Sequence, residues 1–362
     1  MIEAAGEIEA IETLHAMGCT DGLPVVVPTP DRVDALCAGV DLDPDQPLGV
    51  MGPRQGVASV GKVAISAVMA GCLPEHFPVV LAAVRAVCRE EFDLTEVNQT
   101  THCLAPLIVV NGPARHACGD IESGAGILGP GNRASASIGR ALSLAIINIG
   151  GRRPGSTDLA VFSSPGKFTA CFAEAEERSP FAPWHTENGF NAGDSVATVV
   201  AVEAPTSVIV EPSGDCASDA LRLIRALALT VANPGSNHLY RQGDGGVVVV
   251  INPEHADILA AAGYDRASIC AALREHAVYN RAAAAQVYGG LNFVHPDDGD
   301  ELHALRDASQ LMLLVAGGLG CYSLVMPSWA YAPSGGLPVS ERISVDPVCE
   351  LPFQQHENQP GA

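Results

Sequence analysis

Lysine is almost missing from this chain. Of the 20 basic residues in 362, only Lys62 and Lys167 are lysine and the rest are arginine. Arginine serves wherever a plain positive charge suffices, but its guanidinium neither deprotonates nor forms an imine at neutral pH. The two surviving amines are therefore read as catalytic or anion-binding, with chance retention as the plain alternative. Positive charge is scarce as well: 41 acidic residues outweigh the 20 basic ones, for a formal charge of −21. Such a field repels phosphate backbones and anionic lipid surfaces, which excludes nucleic acid and membrane surfaces as partners. Aromatics make up only 5%, so Ala, Val, Ile and Leu must fill the core. No apolar run approaches the ~20 residues of a spanning helix, and residues 1–10 are acidic with no signal-type apolar stretch. The eleven cysteines are odd in number, scattered and without a CxxC pair. They read as reduced thiols of a cytoplasmic protein. HExxH, GxSxG and paired zinc-type cysteines are all missing.

What is present predicts an α/β fold. Hydrophobic residues reach 48% against 17% charged, enough for a substantial core. Strands are expected at 25–27, 105–111, 159–162, 195–202, 207–211, 246–251 and 310–316. Helices are expected at 1–18, 31–38, 57–71, 75–89, 133–149, 215–232 and 265–279, with another starting at the Asn252-Pro253-Glu254 cap. Residues 41–56 and 164–188 read as loops. The alternation of strand, glycine-rich loop and helix predicts mixed sheets, with sites at strand ends. The basic, glycine-rich stretch 150–155 marks an internal boundary, giving an N-terminal α/β lobe over 1–155 and a C-terminal one over 156–362, or one intertwined domain.

Five stretches carry candidate chemistry. Residues 56–63 have P-loop-like glycine and lysine spacing, with Lys62 in place, but Val63 stands where a magnesium-binding hydroxyl is required. Residues 124–132 run into a helix, so Gly129, Gly131, Asn132 and Arg133 form a candidate anion cradle, assisted by Arg140. His102, at a loop-to-strand junction, is a candidate acid, base or metal ligand. Its neighbour Cys103 points the other way in any extended segment. The stretch from Lys167 through Cys171, Glu174, Glu176 and Glu177 to His185 resembles an active-site loop. A nucleophilic Lys167 needs burial to outweigh nearby carboxylates. Finally, Cys321 follows Gly317-Gly318-Leu319-Gly320, where a helix start would lower its pKa. An inert core thiol is the competing reading there. A metal site joining His102 to His185 or Glu174 is a further alternative; no nicotinamide site is implied, and the sequence leaves any cofactor unknown.

Several strings occur together: Asp21-Gly22-Leu23-Pro24, Ala67 to Cys72, Thr100 to Pro113, Gly129 to Arg133, Pro165-Gly166-Lys167-Phe168 and Pro253 to Ala256. Through them the chain resembles a bacterial family encoded beside UGSC proteins, small partners carrying selenocysteine or cysteine followed by Gly-Ser-Cys. The chain departs from that family's pattern at Gly61, where Glu is usual, and at Cys321-Tyr322, where Lys-His is usual. The resemblance implies a UGSC-type thiol partner, a homo- or hetero-oligomer and small-molecule chemistry shared between subunits. The combined expectation is an enzyme, or the larger subunit of one, acting on a small anionic metabolite by lyase- or oxidoreductase-type chemistry. A non-catalytic scaffold for the thiol partner is the rival.

Overall fold

The computed structural model describes residues 3–237, 245–288, 299–328 and 337–344. In chain order the described elements begin with helices α1 (Glu7–Ala16) and α2 (Pro30–Cys37), the hairpin β1 (Pro47–Met51) and β2 (Gly56–Ser59), α3 (Val60–Ala70), α4 (Phe77–Val87) and α5 (Leu94–Gln99). Then come β3 (Ala105–Asn111), α6 (Ala114–Ala117), α7 (Arg133–Asn148), β4 (Cys171–Ala173), α8 (Trp184–Glu187), β5 (Val196–Val202), β6 (Thr206–Ile209) and α9 (Cys216–Val231). The remainder are β7 (Val247–Ile251), α10 (Pro253–Ala261), α11 (Arg266–His276), β8 (Val278–Asn280), α12 (Arg281–Tyr288), β9 (Glu301–His303), β10 (Leu311–Val315), β11 (Tyr322–Pro327) and β12 (Val339–Arg342).

Two four-stranded mixed sheets, β12-β5-β3-β4 and β10-β7-β11-β6, form the centre. Alternate side chains of a strand point to opposite faces, and here both faces are buried. Ile108 and Val110 of β3 join the helices α3, α4 and α7 in one core, while Leu107 and Val109 face the other sheet. In β7, Val248 and Val250 meet them, and Val247, Val249 and Ile251 turn to α9, α10 and α11. The result is four layers, helix, sheet, sheet, helix, with three hydrophobic interfaces. The sheet containing β3 draws β4, β5 and β12 from beyond residue 155, so residues on both sides of the expected boundary share a core.

Several helices begin as their sequences dictate. Asp215 caps α9 by accepting from the backbone of Ala217 and Ser218, Asn132 caps α7 through Ser135 N, and Asn252 caps α10 through His255 N. Each satisfies amides that the first turn leaves without partners.

Several local expectations differ from what is found: the loop expected at 164–188 holds β4 and α8, and the helix expected from 57 begins at Val60, after β2. Residues 25–27 are extended but join no sheet, held instead by Val26 N donating to Met69 O. The proline-rich stretch 41–56 contains most of the hairpin β1–β2. Its alternating Leu48, Val50 and Val57 signal was masked by turn residues. Residues 159–162 form no strand: Leu159 N and Val161 N bond to Asn98 O and Thr101 O, and Leu159, Val161 and Phe162 lie exposed. That apolar run serves a surface and not a core. Among the described residues no helix is long and apolar enough to cross a membrane.

Candidate functional site

Lys167 sits in a one-turn helix, Pro165–Lys167, between α7 and β3. Ser164 Oγ accepts from Gly166 N and starts the turn. A side chain at Gly166 would put its Cβ 2.9 Å from Ala105 Cβ, so glycine is what lets the turn lie against β3. The Lys167 carbonyl accepts from Ser143 Oγ on α7 and from Arg152 Nη2 at 3.3 Å. The amine itself is buried, with Nζ 2.6 and 2.7 Å from the two oxygens of Asp158. Asp158 is held in turn by its own loop, where its N–H donates to Arg153 O and its carbonyl accepts from Gly155 N.

A cleft of about 320 Å³ opens over this pair, lined by residues of the N-terminal loop, the end of α7, the 152–158 loop and the Lys167 turn. Among the described residues, those that line it with charge are Arg152, Arg153 and Lys167 against Asp21 and Asp158, three cations less two carboxylates. The cleft therefore carries a net positive charge in a protein of formal charge −21. Arg140 adds a further cation just outside, binding Asp21 through Nε and Nη2 at 2.7 and 2.8 Å. Burial works to raise the Asp21 carboxyl, but this bidentate guanidinium leaves it below its usual range. Burial lowers the Lys167 amine; Asp158 pulls it back up and Arg152 pushes it down, with a net lowering. Burial also pushes the Arg152 guanidinium down to about 10, against the pull of Asp158 and Asp21. Arg152 remains a cation near neutral pH, at a desolvated position that an added anion would stabilise.

The nominated residues fall into different places. Lys62 is exposed on α3 and donates to Val57 O. The P-loop reading of residues 56–63 fails because Val60 N and Gly61 N of that helix already donate to Gln46 O and Pro44 O. His102 lies 2.9 Å from Glu203, a partner outside the cleft. Its neighbour Cys103 is within electrostatic reach of Lys167. Cys171 lies inside β4, and full burial pushes its thiol far up, so it is an inert core residue. Cys321 precedes strand β11 and does not open a helix. Gly129 and Gly131 are exposed, Asn132 is occupied in capping α7, and Arg133 donates to Gly71 O. That end of α7 lies ten residues, about 15 Å, from Ser143 beside Lys167.

The two glycine-rich stretches do meet each other. Gly317 N donates to Ser123 O, and a Cβ on Gly318 would lie 2.9 Å from Ala125 Cβ. They border a second hollow of about 260 Å³ that no charged side chain of the described residues lines. Nearby, His255 is fully buried with Nδ1 on Ser323 Oγ and Nε2 on Val210 O, a satisfied core histidine. The carboxylates of the 174–177 segment form a separate network. Glu174 accepts from Asn111, Trp184 N and Arg266, and Arg115 binds Glu176 and Glu177. His185, also buried, is 3.9 Å from Glu176. These bonds tie β3 and β4 to α11 across the two sheets. His102 and His185 thus occupy different settings, and among the described residues no group of three or more His, Cys, Asp or Glu is arranged to hold a metal ion.

Asp158, Arg152 and Arg153 were not singled out from the sequence, and Asp21 appeared only within a motif. One signal was there: a second carboxylate and an Arg pair lie within fifteen residues of a rare lysine. No family model and no curated protein matches the chain, so the site is read from its own geometry.

Proposed function

We propose that the chain is an enzyme, or the larger subunit of one, that binds a small anionic metabolite in the Lys167 cleft and acts on it by proton transfer. The observation that carries this reading is the buried Lys167–Asp158 pair beside Arg152, at the floor of an open cleft with excess positive charge. A ligand carboxylate entering the cleft gains charge-assisted hydrogen bonds from Arg153 and Arg152. It also neutralises a desolvated positive charge. Lys167 is then placed to give a proton to an oxygen of the ligand on which negative charge develops. The new O–H bond forms as the N–H bond breaks, leaving a neutral amine hydrogen-bonded to Asp158. Burial makes that neutral amine accessible, which is what a lysine acid or base requires. Proton transfer next to a carboxylate is the chemistry of lyases, and it fits this site better than hydrolysis, because no Ser–His pair lines the cleft among the described residues.

The test incubates the protein with a mixed pool of small-molecule carboxylates and follows their consumption by mass spectrometry. Wild type and Lys62→Ala should consume the same component, and Lys167→Met should not. Equal consumption by Lys167→Met would refute the assignment.

A further inference from the structure

The lining of the cleft is only half of its surroundings. Six exposed large apolar side chains, Met17, Leu23, Leu159, Val161, Phe162 and Phe168, either line it or lie within two residues of one that does. Val161 is 66% exposed and Phe162 89%, in a chain with few aromatics. Scattered single apolar residues at a surface need no explanation, but a cluster beside one cleft does. The backbone shows how Phe162 is held outward. Ser163, the next residue, has φ +62°, a left-handed conformation that a residue with a Cβ seldom adopts and that marks functional loops. The amides of Leu159 and Val161 are meanwhile tied to the 98–101 segment. The segment is thus fixed in place with its apolar side chains turned away from every core. Ile147, Pro154 and Phe168 add apolar lining within the cleft itself.

Resting on the reading of this cleft as an anion site, we infer that its ligand is amphipathic: a carboxylate with an unbranched apolar chain of several carbons. The head lies on Arg152, Arg153 and Lys167. The chain runs out along Phe168 to the rim formed by Leu159, Val161 and Phe162. Burying a methylene completely tightens binding about fourfold, so a chain half-covered by such a rim gains about twofold per carbon.

The experiment is a calorimetric titration of the full-length protein with acetate, butyrate, hexanoate and octanoate, with hexanol as the uncharged control. Affinity should rise at least about tenfold from butyrate to octanoate, and hexanol should bind far more weakly than hexanoate. Phe162→Ser, at a position too exposed to affect folding, should flatten the dependence on chain length while leaving butyrate unchanged. Arg153→Gln should weaken every acid by a similar factor and keep the slope. Measurable binding without chain-length dependence overturns the inference and leaves the anion site standing. Binding of none of the acids removes both. Light scattering that shows Phe162→Ser dissociating a dimer would also overturn it, because the rim would then be covered by a second copy of the chain.

Discussion

Replacing Asp158 by asparagine isolates the interaction on which the site depends. Lys167 and Asp158 are 8% and 7% exposed at their side chains and meet through both carboxylate oxygens. Removing one member of such a buried pair leaves the other charge desolvated and unmatched, at a cost of about 3–5 kcal/mol. Asp158→Asn leaves the ammonium beside Arg152, and Lys167→Met leaves the carboxylate. The double variant leaves neither charge stranded, so it should recover part of the summed loss, a coupling of about 2 kcal/mol in a double-mutant cycle. The pH dependence has a definite sign. Burial already lowers the Lys167 amine below its ordinary 10.5, and the Asp158 carboxylate partly restores it; without that carboxylate the value falls further. Between the lowered value and 10.5 the unfolded chain binds more protons than the folded one, so the stability of Asp158→Asn climbs with pH across that interval. Urea unfolding at a series of pH values below 10.5 should therefore show the deficit of Asp158→Asn shrinking as the pH rises. Single losses below about 1 kcal/mol that simply add, or a deficit that grows with pH, would refute the reasoning.

Other outcomes follow from the same structure. Gly166→Ala should destabilise by about 1–3 kcal/mol in thermal unfolding, because its Cβ would meet Ala105 Cβ at 2.9 Å on a strand that cannot move aside. Arg266→Met strands the fully buried Glu174 carboxylate, which burial already holds above its usual range. Denaturant titration should show a loss of about 3–5 kcal/mol. A thiol reagent should modify exposed Cys216 in the native protein and reach Cys171 only after unfolding. Peptide mass spectrometry would reveal any earlier reaction. Lys62→Ala should change stability by no more than about 0.5 kcal/mol.

Much of the architecture was legible because burial on both faces leaves an unambiguous record. The unbroken apolar run Val247–Ile251 could only be a strand covered on each side, and α9 announces itself by an Asp cap followed by apolar residues at helical spacing. Stretch 159–162 was misread for a physical reason. An apolar tetrapeptide looks the same whether it fills a core or rims a cleft, and only coordinates distinguish the two. The site was half legible. Lysine scarcity pointed to Lys167, but the same argument pointed equally to Lys62, which lies on the surface. Asp158, Arg152 and Arg153 belong to residue types too common in this composition to stand out, and pairing across nine residues in irregular backbone has no periodic signature. His102 was drawn in by type. Its imidazole meets Glu203, outside the cleft.

With only two lysines in the chain, amine acylation followed by peptide mass spectrometry tests the central claim most directly. Lys62 should be modified quickly and at the same rate with or without octanoate. Lys167 should react slowly, and more slowly still when octanoate fills the cleft. Modification of both lysines at rates that no carboxylate alters would contradict the account.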